Sequence, residues 1–366
     1  MISTRVLCLV VVGLLTAGAG AAGRQRDDQR HVNVSDARLS PDGGTVVFAR
    51  GEEPRDSNPR ASSGLWRVPF AGGDPQPLTP TPAANSHLRW SHDGRQIGYV
   101  SAPFRNGAAG RVVVVPSEGG APRAVTPDAV DVVAFEWSPD GRRLAFITRG
   151  SSKPGLSIIG VDGSGLRSLV AGTAVALGWA PTGTEIAVVL QNSGTRSRVV
   201  IAQTAGSAPV RAIEGQFLPR VSWSPDGSTI ALIGPRESGV SRLTLLGPNG
   251  RVQREIPLRS DEPLVDAVWT GDGRISLTFG GGAQTWIEVL TPATDARLTV
   301  FPPGLATITS RPSWSRDGRR YVVLAHEREH ADEVFAGTIP LPERGVPDFA
   351  GARPAPVRRI TGDPIR

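Results

Sequence analysis

Short apolar runs recur along the chain, each directly behind the same kind of turn. "TVVFA", "QIGYV", "RLAFI", "EIAVV", "TIALI", "ISLTF" and "YVVLA" follow "LSPDG", "WSHDG", "WSPDG", "WAPTG", "WSPDG", "WTGDG" and "WSRDG". The runs are too short for core helices and are rich in β-branched and aromatic residues, which reads as buried strand. After each comes a loop of variable length, then a second apolar run such as "LWRVPF", "RVVVVP" or "RVVIA". A Gly-rich turn ("AGGDP", "SEGGAP", "VDGSG") leads to a last strand ending in "PLT", "AVT" or "RIT". The residues before each Trp, as in "VVAFEW", form one more strand. The pattern predicts four short strands per unit and no helical periodicity.

The turns end at Gly43, Gly94, Gly141, Gly183, Gly227, Gly273 and Gly318, between 42 and 51 residues apart. In Ser-Pro-Asp-Gly, Pro supplies the fixed φ of a type I turn, Asp suits the next position, and Gly tolerates the left-handed conformation that closes the hairpin. Trp90, Trp137, Trp179, Trp223, Trp269 and Trp314 hold one place in the unit, and Leu39 holds it in the first copy. An aromatic there can fill the gap between neighbouring sheets. One four-stranded sheet cannot bury both faces alone, whereas a ring of them can. Four-stranded units of about 40–45 residues around an axis describe a β-propeller. The expected fold is all-β: a seven-bladed β-propeller of four-stranded blades over residues 31–363, with a three-residue tail at 364–366. The last copy ends with "VRRIT" after a Pro- and Arg-rich insertion, "PLPERGVPDFAGARPAP".

These motifs carry a family resemblance. W-S-P-D-G, an R-x-A-F type strand, and a "GG.P..LT" close resemble the WD40-like propeller repeat called PD40. That repeat builds the propeller of TolB and the N-terminal propellers of prolyl-oligopeptidase-type (S9) serine peptidases, including acylaminoacyl-peptidases. The resemblance implies the fold over about residues 31–363; because its motif residues are structural, it implies little about function. The opening "VSDARLSPDGGTVVFAR" is closer to the first blade of the peptidase propellers than to that of TolB. TolB places a mixed α/β domain before six blades, and the peptidases place an α/β-hydrolase domain after theirs. Neither is expected here.

The first segment, "MISTRVLCLVVVGLLTAGAGAAG", changes the picture of compartment. Arg5, an apolar stretch from Val6 to Leu15 and then small residues have the layout of a secretory signal. Residues 1–22 are expected to be that signal, cleaved near Ala21 or Ala22, and 23–30 a short linker. The apolar stretch is too short to span a bilayer, and no other stretch qualifies, so the mature chain is expected to be exported, periplasmic or secreted. Cys8 is the single cysteine, and it precedes most of the apolar stretch, badly placed for lipid attachment. The mature chain then has no disulfide, thiolate nucleophile or Cys-based metal site. The net charge is +6, and 39 of the 40 basic residues are Arg, Lys153 being the exception. The basic residues are scattered, without runs or aromatic interleaving, which argues against nucleic acid.

Each candidate catalytic motif fails on its context. His326-Glu327-Arg328-Glu329-His330 fits H-E-x-x-H, but zinc proteases carry that string on a helix, and here it joins two strands. A polar loop is expected, with no metal. No Ser has Gly at both −2 and +2, so the nucleophile elbow of a serine hydrolase is missing. Ser164 in "DGSG" reads as a hairpin residue. Glu52 and Glu53 in "GEEPRD" read as a solvated loop, not as the substrate-amine clamp of dipeptidyl-peptidases. The turn residues Asp42, Asp93, Asp140, Asp226, Asp272 and Asp317 lack the D-x-D-x-D-G spacing of a calcium loop. No catalytic, cofactor or metal residue is therefore assigned.

What remains is the loop face. The loops at 50–64, 101–110, 149–155, 190–197, 234–241 and 325–333 are the long, variable ones, and loops on a rigid scaffold carry function. On blades two to five they are mainly basic: Arg105, Arg149, Lys153, Arg196 and Arg236 form the candidate partner-binding face. The expected role is a non-catalytic scaffold in the manner of TolB, binding a protein or peptide, acidic where it meets those loops. The alternative is the substrate-gating propeller of an S9 peptidase whose hydrolase domain is absent or truncated.

Overall fold

The computed structural model describes residues 32–52, 62–79, 84–102, 109–128, 130–150, 154–192, 196–206, 209–281, 284–327, 331–339 and 356–361. They form seven antiparallel sheets, each built from consecutive strands in the order first to fourth, and the sheets stand as blades around an axis. The innermost strands are Val32–Leu39, Ala84–Trp90, Val132–Trp137, Ala174–Trp179, Val221–Trp223, Leu264–Trp269 and, in blade 7, the two pieces Thr307–Ile308 and Ser313–Trp314. There is no helix among the described residues, and so none long and apolar enough to cross a membrane. The signal and linker residues 1–30, the insertion at 340–355 and the tail at 364–366 lie outside the described residues.

Five of the seven blade turns repeat one hydrogen-bond set that explains the motif. In the first copy Gly43 N–H donates to Ser40 O (2.8 Å), and Gly43 takes φ +72°, which only glycine adopts without strain. Ser40 Oγ donates to Asp42 Oδ1 (2.5 Å), which also accepts Gly44 N–H, while Ser40 Oγ accepts Thr45 N–H. The serine of S-P-D-G thus links the turn carboxylate to the first residue of the next strand. The same set recurs at Ser91, Ser138, Ser224 and Ser315.

These contacts hold the carboxylates of Asp42, Asp93 and Asp226 below the usual range, the serine hydroxyl being the main cause. At Asp140 and Asp317 burial works the other way but is outweighed by the same hydroxyl and backbone donors. A depressed folded pKa adds stability that is present above the unfolded value of about 3.9 and is lost as pH falls through the folded value. Melting temperature is therefore expected to be level from pH 7 to about 4 and to fall below it. The triple change Asp42→Asn, Asp93→Asn, Asp226→Asn should flatten that fall; an unchanged slope between pH 4 and 2.5 would refute the assignment.

The core is divided among seven hydrophobic clusters, one per blade–blade boundary. Ile158, Trp179 and Val188 join blades 3 and 4, and Phe279 packs with Ile256 between blades 5 and 6. Val34, Phe48 and Val68 of blade 1 pack on Val322, Leu324 and Ile360 of blade 7, which closes the ring. Among the described residues every blade is contiguous, and blades 1 and 7 meet through side-chain packing and hydrogen bonds and not through a shared strand. Hydrogen bonds across that boundary run from Leu39 N–H to Ser313 Oγ (3.0 Å), Arg316 N–H to Pro41 O (2.8 Å) and Arg320 Nη1 to Gly43 O (2.9 Å).

The repeated Trp sits in these boundaries as expected. The indole N–H of Trp90, Trp137 and Trp223 also donates to the preceding blade, to Arg38 O, Arg89 O and Gly178 O at 3.0–3.2 Å. Blade 7 departs from the expected single inner strand. Pro312 has no N–H to give, and Ser310 Oγ accepts Leu324 N–H (2.8 Å) where a backbone acceptor would be, so the strand splits.

Candidate functional site: the charged lining of the central channel

Side chains alternate between the two faces of a sheet, and in these blades every second residue of an inner strand points at the inner edge of the next blade, beside the axis. The residues two places before the Trp position, among them Ala37, Leu88, Phe135 and Leu177, are buried between blades. Their neighbours face the channel. One place before the Trp position stand Arg38, Arg89 and Glu136; three places before it stand Asp36, His87, Arg220, Asp266 and Arg311. Blade 4 carries only Gly178 and Ala176 there.

Part of this polarity serves the fold. An inner strand has one unpaired edge, and its N–H groups need acceptors. Asp36 Oδ2 accepts Leu88 N–H (2.8 Å), Ser222 Oγ accepts Trp269 N–H (3.0 Å), and Glu136 Oε2 accepts Trp179 N–H (3.3 Å). Each of these crosses to the next blade. Arg38 reaches both ways, with Nε to Leu88 O (3.0 Å) and Nη1 to Arg311 O (3.3 Å), while its Nη2 pairs with Asp36 Oδ1 at 3.1 Å.

The charges do not cancel. Four guanidinium groups (Arg38, Arg89, Arg220, Arg311) face three carboxyls (Asp36, Glu136, Asp266). Arg89 has no carboxylate within ion-pair distance among the described residues; its Nη1 donates only to Leu88 O (2.8 Å). Burial, and then the charge of Arg38, push its pKa down to about 10, so it stays a cation at neutral pH. Burial pushes the Glu136 carboxyl up, against the pull of Arg89. His87 sits at a break in register with Tyr99's strand and takes φ +56°, a strained conformation for a residue with a side chain. Burial and Arg89 lower its pKa, which keeps the ring neutral at pH 7.

Of two cavities, only the smaller adjoins this lining. The larger, about 320 Å³, lies on the turn face beside His92, Asp93 and Arg316. Its polar groups are spent on one another: Arg67 pairs with Glu118 (2.9 Å), Ser91 with Asp93 (2.6 Å), and Arg316 donates to His92 O. The smaller, about 170 Å³, lies between blades 6 and 7 against Arg220, Asp266 and Arg311.

The residues singled out from sequence lie elsewhere. Arg149, Arg196 and Arg236 are exposed, each after or within a second-to-third-strand loop. Arg236 is tied down, its Nη2 donating to Ser260 O (2.8 Å) and Asp261 O (3.0 Å). Arg105 and Lys153 fall outside the described residues, as does Glu53. His326 ends the strand Arg320–His326, so the first half of the H-E-x-x-H string is extended and not helical. Its Nδ1 lies 3.1 Å from Asp332 Oδ1, and Glu327 pairs with Arg359 at 3.2 Å; His330 is outside the described residues.

No family model matches the chain, and no curated protein matches it either. Solved structures share its fold. The acylaminoacyl peptidase of Pyrococcus horikoshii is 14% identical, with a TM-score of 0.65 over 90% of this chain and 52% of that one. The propeller domain of the Trilobed protease from Pyrococcus furiosus, described as having an open velcro topology, is 14% identical with a TM-score of 0.64, over 84% and 93%. TolB from Acinetobacter baumannii is 14% identical with a TM-score of 0.53, over 81% and 78%. The chain spans about half the length of the acylaminoacyl peptidase it matches. The neighbours are the propellers of S9-type peptidases and of TolB, and at these identities they establish the fold alone.

Proposed function

We propose that this chain is an exported, non-catalytic propeller of the PD40 type that binds a protein or peptide at the channel and its surrounding loops. The observation that carries the reading is the charged channel lining. Arg, Asp and Glu are rarely withdrawn from water without purpose, and here one guanidinium has no carboxylate partner among the described residues while two share a single carboxylate. Such a lining does little for the core, which the seven apolar clusters already provide. It offers directed donors and acceptors to a chain end or loop entering the ring. The exposed Arg149 and Arg196 extend the positive field outward, which favours an acidic partner. The role is of the TolB-like kind.

The test is capture. An immobilised acidic peptide library should retain the protein, and the change of Arg89 to Gln together with Arg149 and Arg196 to Glu should lower retention at least about tenfold. The effect should shrink as salt rises, since contacts between exposed charges are screened beyond about 10 Å at 0.1 M. Undiminished capture by the triple variant would remove the channel and loops from the binding surface. A second reading, the substrate-gating propeller of an S9-like peptidase, is favoured by the span of the acylaminoacyl peptidase match. It predicts that protein made from its natural gene is labelled at a serine by a fluorophosphonate probe. The scaffold reading predicts no labelling.

A further inference from the structure

The cavity between blades 6 and 7 contains polar groups that the fold leaves unused. Asp266 is 3% exposed, and its Oδ1 takes every protein contact: Arg311 Nε at 2.8 Å and Nη2 at 2.7 Å, with Arg220 Nε at 3.1 Å but not aligned to donate. Asp266 Oδ2 is buried without a hydrogen-bond partner, and so is Thr278 Oγ1. Both residues line the cavity. On the other side of the balance, Arg220 gives Nη1 to Pro219 O (2.8 Å), and neither its Nη2 nor Arg311 Nη1 has an acceptor among the described residues. Two cations around one carboxylate leave a formal charge of +1. Burial, then the charge of Arg311, lower the pKa of Arg220, so the second cation gains from an added anion.

The unused groups specify a ligand. Free guanidinium N–H groups and the Thr278 hydroxyl call for an anion. Asp266 Oδ2 accepts only, so it repels acetate or any other anion without a donor and calls for an N–H or O–H. An ammonium group is disfavoured by the two arginines. We propose that this cavity is a subsite for an α-amido carboxylate, the chemistry of a peptide C-terminus or of a free N-acyl amino acid. The carboxylate lies against Arg220, Arg311 and the Thr278 hydroxyl, and the adjacent amide N–H donates to Asp266 Oδ2. A space of about 170 Å³ admits one terminal residue and not a folded chain. The peptide source rests on the binding function proposed above; the subsite chemistry does not.

Calorimetric titration of the whole protein at low salt tests it, with N-acetylalanine, its methylamide, acetate, inorganic phosphate and the free acid of N-acetyl-pentaalanine as probes. N-acetylalanine should bind at one site per chain, about tenfold or more tighter than acetate, and the methylamide should not bind. Arg220→Gln should weaken N-acetylalanine about tenfold and Thr278→Val about threefold, with circular dichroism unchanged. Thr278→Val keeps the side-chain shape, so it serves as the readout if Arg220→Gln does not fold. Pentaalanine acid binding at least as tightly as N-acetylalanine assigns the site to a peptide end. Binding of N-acetylalanine without the pentapeptide keeps the subsite but removes the peptide-scaffold function. The proposal is overturned if the methylamide, acetate or phosphate binds as well as N-acetylalanine, if N-acetylalanine does not bind at millimolar concentration, or if the folded variants bind it unchanged.

Discussion

Replacing Gly337 by alanine is expected to destabilise the propeller by about 3–5 kcal/mol. Gly337 lies directly opposite Tyr321 in blade 7, and a Cβ there would come within 2.3–2.4 Å of three atoms of the phenol. The ring cannot swing away cheaply. Tyr321 is fully buried in the cluster between blades 6 and 7, packs at a 38° tilt against Trp314 with centroids 4.9 Å apart, and donates its hydroxyl to Val300 O (2.6 Å). Relief by moving the ring would strand that hydroxyl in a buried site, at about 1–3 kcal/mol, on top of the overpacking itself. Domains have total stabilities of only about 5–15 kcal/mol, so much of the margin goes. Thermal melts should show a drop on the order of 5–10 °C. Gly206→Ala is the control, since its Cβ would meet nothing closer than 3.7 Å, and it should change little. Adding Tyr321→Leu to Gly337→Ala should recover part of the loss. A melting point for Gly337→Ala within 2 °C of the parent would show that the ring has room that this packing denies it.

That clash illustrates what could be read from the chain alone. Blade number followed from the turn glycines, because a left-handed residue closing a tight hairpin is a local demand that tertiary contacts cannot override. The pairing of a small residue in one strand with a phenol in the next is not local. "EVFAGT" and "RYVVLAH" both read as strands, but nothing in either names the register that sets Gly337 against Tyr321. The split inner strand of blade 7 was missed for a related reason. Pro312 argues against an unbroken strand wherever it stands, yet the expected Trp position outweighed it.

The channel lining is not legible in the sequence for a different physical reason. Asp36 and Arg38, or His87 and Arg89, alternate with apolar residues, which on an isolated strand signifies a solvent face. Only closure of the ring turns that face towards an axis shared by six other strands. Aligning the seven copies on their Trp position would have placed Arg38, Arg89 and Glu136 in one layer. Loop length is visible in a sequence, whereas convergence of strands on an axis is not. Of the five basic loop residues, Arg149, Arg196 and Arg236 are exposed, and Arg236 is pinned to a neighbouring loop.

Convergence has a cost that Asp36 measures. Its side chain is 10% exposed, accepts the Leu88 N–H of the next blade, and pairs with Arg38, itself 13% exposed. Asp36→Ala leaves both partners behind: a buried N–H without an acceptor, and a guanidinium whose nearest charged neighbours include other arginines. Removing one partner of a buried pair costs about 3–5 kcal/mol, mostly through the charge left unpaired. Asp36→Asn keeps an amide oxygen for Leu88 N–H and should lose roughly half as much. If the unpaired charge is the main cost, deleting it should repay part of the damage. The double variant Asp36→Ala, Arg38→Met is therefore expected to be about 1–3 kcal/mol more stable than Asp36→Ala alone, although it has lost more contacts. Urea unfolding midpoints, compared at equal slope, measure all three. A double variant no more stable than Asp36→Ala would mean that the lost cap on Leu88 dominates and that channel water already screens Arg38. The charged lining would then cost the fold little, and its retention would need no partner to explain it.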